Sequence, residues 1–170
     1  MVVTVVVALG FLGYLGDHAV SGREADALLD RAVAAQGTVA YSNRRVAATV
    51  DYTRPQLFGP SVPARVRAGL KQLIADSARS QVASLRTERS SAAAVHVVGW
   101  HHQDVDARAA LVRYLDARVA YLQSVAADPD VLYVEHPDLE RLLDAARAAY
   151  RLIAPSARVD AVFAGGTHPG

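Results

Sequence analysis

The sequence predicts an all-α protein, an antiparallel up-and-down four-helix bundle preceded by a single N-terminal membrane-anchor helix. Three observations predict it. Met1 to Gly16 carries no charged side chain. Beyond it, apolar residues recur at spacings of three and four, the pattern of a helix with one buried face. Proline-bearing breaks then divide that pattern into stretches of helical length, and consecutive helices joined by short breaks pack antiparallel. The expected division is residues 1–20 as anchor or signal segment, 21–155 as helical bundle and 156–170 as flexible tail.

The opening run is rich in valine and leucine and ends abruptly at Asp17 and His18. Sixteen helical residues span roughly 24 Å, a little short of the roughly 30 Å hydrocarbon core of a bilayer. An uncleaved signal anchor fits this run, with the bundle outside the cytoplasm. A cleaved signal is the alternative, since Ala19, Val20 and Ser21 place small residues where a peptidase reads, and the product would be secreted. A buried helix or strand of a globular domain is the third reading, because Val2 to Val7 include β-branched residues that suit a strand. No lysine or arginine precedes the run, although anchors carry them on the cytoplasmic side, so an upstream start or a trimmed chain is expected.

Ser21 and Glu24 have the spacing of a capping box, so the first bundle helix is expected to start there. Ala25, Leu28, Leu29, Ala32, Val39, Val46 and Val50 line its apolar face, and Gly37 is a weak point. Pro55, Pro60 and Pro63 should stop it. The second helix is expected from about Pro63 to about Arg89, with Val66, Leu70, Leu73, Ile74, Val82 and Leu85 inward. Its polar face is basic, with Arg65, Arg67, Lys71, Arg79, Arg86 and Arg89 against Asp76 and Glu88. Such a face is ordinarily solvated; if it docks, it suits anionic headgroups or an acidic partner.

The segment from Ala92 to His102 reads either as a continuation of that helix or as an extended strap over the bundle end. It is too short for a second membrane span. The third helix is expected from about Asp104 to Ala127, with Val105, Ala109, Val112, Leu115, Val119, Leu122 and Val125 inward. Asp128-Pro129-Asp130 marks a boundary, followed by a short helical turn through Val131 and Tyr133. Pro137 opens the fourth helix, with Leu139, Leu142, Leu143, Ala146, Tyr150 and Ile153 on one side, and Pro155 ends it. Asp138 and Glu140 near its start and Arg147 and Arg151 near its end complement the helix dipole.

Composition narrows the function classes. The chain has 170 residues, which allows one modest core. Hydrophobic residues make up 52%, but aromatics only 6%, so the core should be thin and alanine-rich. A net charge of +1 supplies no field that would draw nucleic acid. Lys71 is the single lysine among 18 basic residues, an arginine bias that looks like the codon usage of a GC-rich bacterial genome. With no cysteine, disulfides, thiolate metal sites and cysteine nucleophiles are excluded.

Two clusters could carry chemistry. Around His96, Trp100, His101, His102, Asp104 and Asp106, imidazole and carboxylate are ligands that zinc or copper would use. His101, His102 and Asp104 are the metal candidates. Against them, adjacent histidines on regular backbone diverge, and the spaced pair of a helical metal site is missing. The structural alternative has Trp100 covering the bundle end, the histidines solvated and Asp104 capping the third helix. The second cluster is Glu135 and His136 with Asp138 and Glu140, where acid–base work is imaginable but capping and solvation suffice. The two flank opposite ends of the third helix, roughly 36 Å apart, and cannot share a site. No serine-nucleophile elbow, phosphate-binding loop or dinucleotide fingerprint is present. No catalytic residue and no cofactor is therefore expected.

The expected function is that of a membrane-anchored extracytoplasmic interaction module. Its partners would be the lipid bilayer, through Met1–Gly16, and an unidentified envelope protein, not nucleic acid. The alternative is a small-ligand sensor, which resembles in architecture alone the extracytoplasmic four-helix domains of bacterial receptors. A third reading is a small metal-binding protein or enzyme built on His101 and His102.

Overall fold

The computed structural model describes residues 2–57, 59, 62–133 and 136–164; for residues 2–15 and Tyr133 it describes the backbone alone. The described chain is all-helical. Its elements are α1 (Val2–Leu57), α2 (Ala64–Ala93), α3 (His102–Ala127), a 3-10 turn (Pro129–Tyr133), α4 (Pro137–Tyr150) and α5 (Ser156–Phe163). Among the described residues no helix is long and apolar enough to cross a membrane. The side chains of residues 1–15, on which the anchor expectation rests, lie outside the described residues.

Residue pairs define the directions. Thr38 meets Glu88 at 3.3 Å and Thr49 meets Ser77 at 3.2 Å, so α1 and α2 run antiparallel. Arg89 pairs with Asp116 and Lys71 with Asp130, so α3 runs antiparallel to α2 and parallel to α1. The His136 ring lies 4.7 Å from that of Tyr121, and the Tyr150 hydroxyl donates to the Leu28 carbonyl, so α4 returns along α3 toward the early turns of the packed part of α1.

The core follows the apolar stripes. Leu28, Ala32 and Val39 of α1, Ile74, Ala78 and Leu85 of α2, Leu111, Leu115 and Leu122 of α3, and Ala146 and Tyr150 of α4 are buried together. Alanine at many contacts lets backbones approach closely, which compensates in dispersion for the lack of large side chains. Arg118 is buried among them, bonded through Nη2 to Asn43 Oδ1 and stacked 5.7 Å from the Tyr121 ring centroid.

Several expectations need correction. The first helix does not begin at Ser21. α1 is already helical from Val2, so Ser21 and Glu24 lie mid-helix and have no free amides to cap. Nor does Pro55 stop α1, which runs on to Leu57. A proline in the last turn forfeits one backbone hydrogen bond, and only two helical residues follow it. Val66 and Leu73 are exposed rather than inward: Ala64 to Gly69 are exposed all round, and Leu73 stands off the buried stripe of Ile74, Ala78, Val82 and Leu85.

The Ala92–His102 question resolves as a strap: the helix ends at Ala93, and Ala94 to His101 form turns and irregular chain with Val97 buried. The flexible tail is also revised. Ser156 to Phe163 form α5, whose Val159 and Phe163 are fully buried. Pro155, read as a stop for the fourth helix, is the residue that precedes this new one.

Candidate functional site

The strap lies across one end of the packed helices and brings α1 and the start of α3 together. Three side chains meet there. Glu24 comes from α1, His101 is the last strap residue and stands at the N-cap of α3, and Asp104 lies in the first turn of α3. The side chains of Glu24 and His101 are 8% exposed and that of Asp104 is 3% exposed, so all three are withdrawn from bulk water.

His101 is the centre. Its Nδ1 lies 2.7 Å from Glu24 Oε2 and 3.9 Å from Asp104 Oδ2, and its Nε2 lies 3.0 Å from Asp17 Oδ1. With a carboxylate at each ring nitrogen, only the doubly protonated imidazolium satisfies both contacts. The pKa of His101 is accordingly raised, first by the hydrogen bond to Glu24 and then by that to Asp17, against the opposing effect of burial.

The surrounding groups are tied in turn. Trp100 Nε1 donates to Asp17 Oδ1 at 3.0 Å, the strap amide of Val98 donates to Glu24 Oε1 at 2.9 Å, and Ser21 Oγ donates to Asp104 Oδ2 at 3.3 Å. The Asp17 carboxyl is held below its usual range by Trp100 and His101, with His18 assisting through its charge. Burial pushes the Asp104 carboxyl up, and the neighbouring Glu24 charge adds to the rise. Asp104 Oδ1 is buried with no hydrogen-bond partner among the described residues.

The sequence candidates separate cleanly. His101 and Asp104 belong to the cluster, whereas His102 is exposed and takes no part in it. Asp104 does not cap α3: the helix has no side-chain cap bond, and the carboxylate is turned toward Ser21 and His101 instead. Trp100 does not cover the bundle end, being 70% exposed. The histidines are not all solvated, since the His101 ring is buried and only His96 and His102 face outward. Glu24, Asp17 and Ser21 were missed. The available signal was Glu24 itself, four residues before Leu28 and eight before Ala32 on the buried face of α1, where a carboxylate requires a partner.

The described residues of the second cluster are engaged separately. Glu135 lies outside the described residues. Asp138 pairs with Arg141 in solvent and Glu140 is exposed. His136 stands at the N-cap of α4 with its ring against Tyr121, and it neither caps through its side chain nor faces open water.

Chemically, the buried cluster is a clasp with three donor atoms converging within 4.8 Å of one another. Ser21 gives its proton to Asp104, and both imidazole nitrogens are already held by carboxylates, so no serine–histidine relay is set up. A shallow groove between α1 and α2, lined by Ala34, Gly37, Tyr41, Ser84 and Thr87, is open to solvent and crossed by the Thr38–Glu88 bond. It lacks the enclosure that a small-ligand pocket needs. No family model matches the chain, and no curated protein or solved structure matches it either.

Proposed function

We propose that the chain is a membrane-tethered helical module: a single pass through Met1–Gly16 carries an up-and-down four-helix bundle outside the cytoplasm. The bundle works by non-catalytic contact with an envelope protein. One observation carries the reading: α1 is an unbroken helix from Val2 to Leu57, so the uncharged opening residues pass without a hinge into the packed helices. A tether built this way fixes the orientation of the bundle as well as its location.

The same continuity favours an anchor that stays attached. The small-residue run at Ala19 to Ser21 lies inside α1, and the Ser21 hydroxyl is engaged by Asp104. Cleavage there would also detach Asp17 from the clasp. Fractionation with alkaline extraction, followed by protease treatment of intact cells, tests the reading. The chain should stay with the membrane, and its bundle should be digested only when protease reaches the outer face. Full release by alkali, or protection from external protease once any outer barrier is permeabilised, would rule it out.

A further inference from the structure

We propose that Glu24, His101 and Asp104 form a binding site for a divalent transition-metal ion of the zinc class. The site is independent of the membrane tether, since its ligands belong to the packed part of the chain. It offers one imidazole nitrogen and two carboxylate oxygens within 4.8 Å of one another. An ion with bonds of about 2.0–2.1 Å in tetrahedral geometry sets its donors roughly 3.4 Å apart. The observed Nδ1–Oε2 distance of 2.7 Å and Nδ1–Oδ2 distance of 3.9 Å bracket that value. The third separation, between the two carboxylates, is within 4.8 Å, so side-chain adjustment with the helices held in place would seat the ion.

The surroundings are those of a metal site. Imidazole ligands characteristically donate their remote N–H to a carboxylate, which fixes the ring and strengthens the donor nitrogen. Here Asp17 stands 3.0 Å from Nε2 while Nδ1 faces the other two carboxylates. Each ligating carboxylate is oriented as well, Glu24 by the Val98 amide and Asp104 by Ser21. Asp104, which is 2% exposed, turns Oδ2 toward His101 and keeps Oδ1 buried without a hydrogen-bond partner among the described residues, a carboxylate left under-satisfied where a cation would compensate it.

The donor set also selects the ion. With imidazole present and thiolate absent, it fits zinc and its first-row neighbours better than copper(I), and better than calcium or magnesium, which favour oxygen alone. Three protein ligands leave a fourth position for water or for a group from a partner. Bound there, the ion would clamp α1 to the start of α3, on the same helix that continues toward the N-terminus.

The test uses the full chain, purified without a histidine tag and stripped with chelator, titrated calorimetrically with zinc chloride and separately with cobalt(II), whose visible spectrum reports coordination. One zinc per chain, a rise in unfolding temperature and a cobalt spectrum of four- or five-coordinate nitrogen–oxygen type are expected. Glu24→Gln and Asp104→Asn should each weaken binding at least tenfold, Asp17→Asn should weaken it about tenfold, and His102→Ala should leave it unchanged. Far-ultraviolet dichroism of each variant separates lost ligation from lost folding; the cobalt spectrum of the unaltered chain decides the matter should the variants not fold. No binding at millimolar zinc, an octahedral all-oxygen cobalt spectrum, or binding abolished by His102→Ala alone would overturn the proposal. None of these results bears on whether the chain is anchored.

Discussion

Tyr150 donates its phenolic hydrogen to the backbone carbonyl of Leu28 at 3.1 Å, joining α4 to α1 across 122 positions of sequence. The ring is fully buried, and burial lifts its pKa far beyond the ordinary phenol range, so the hydroxyl stays a donor at any working pH. Leu28 is itself fully buried, and its carbonyl already belongs to the α1 ladder, so this bond adds to a satisfied acceptor. Tyr150→Phe should therefore cost only about 1 kcal/mol, the net worth of one hydrogen bond. Tyr150→Ala should cost about 3–5 kcal/mol through cavity formation. Urea unfolding followed by dichroism measures both, and equal losses would show that packing at this position contributes little.

Phe163 lies against the same ring, with centroids 5.4 Å apart at 59°, and its carbonyl accepts from Arg147 at 3.1 Å. That contact turns the last described helix into part of the core. Phe163→Ala should destabilise the fold by about 3–5 kcal/mol, and its effect should be non-additive with Tyr150→Ala because the two rings share one cavity. A chain ending at Pro155 with an unchanged unfolding midpoint would show α5 to be dispensable.

The legibility of the fold ran with the length of each apolar stripe. Leu28, Ala32, Val39 and Val46 recur often enough to locate the buried face of α1 from spacing alone. α5 offers only Val159, Val162 and Phe163 after a proline, too short a pattern to separate from a tail until α1 and α4 are seen beside it. The site divides in the same way. His101 and Asp104 are three residues apart and could be read as neighbours, but Glu24 stands 77 positions away from His101 and reaches it only because α1 and α3 run parallel. Its local spacing from Ser21 imitated a capping box. A motif defined by four residues does not state whether a helix starts there or is already under way.

The clasp should make the metal-free protein sensitive to alkali. The folded-state pKa of His101 lies above its ordinary value of 6.5, so its stabilising contribution is complete below 6.5 and is lost as pH rises through the raised value. Asp104 acts in the same direction, since its raised pKa means that the buried carboxylate loses stability as pH climbs above 3.8. Asp17 opposes them: its lowered pKa gives a contribution present above 3.8 and lost only as pH falls through the depressed value. Through His101, stability should thus decline as pH rises above 6.5. Unfolding midpoints in chelator between about pH 5.5 and 9 should show that decline in the native chain and a flatter profile in His101→Gln. Parallel profiles would remove the imidazolium from the account.

Gln36 carries the opposite kind of polar burial. It is 4% exposed on the inner face of α1, between Ala32 and Val39, and neither its Oε1 nor its Nε2 has a hydrogen-bond partner among the described residues. A buried amide in that condition forfeits its hydration without compensation, at a cost of about 1–3 kcal/mol. Methionine matches glutamine closely in length, volume and helix propensity while removing both polar atoms. Gln36→Met should therefore raise stability by about 1 kcal/mol or more, whereas Gln36→Ala should return less of that gain because it opens a cavity. Calorimetric or urea unfolding of the two variants distinguishes the cases. A lower midpoint for the methionine variant would mean that the amide is hydrogen-bonded in solution and that this stretch of α1 is held by a polar contact rather than by apolar packing.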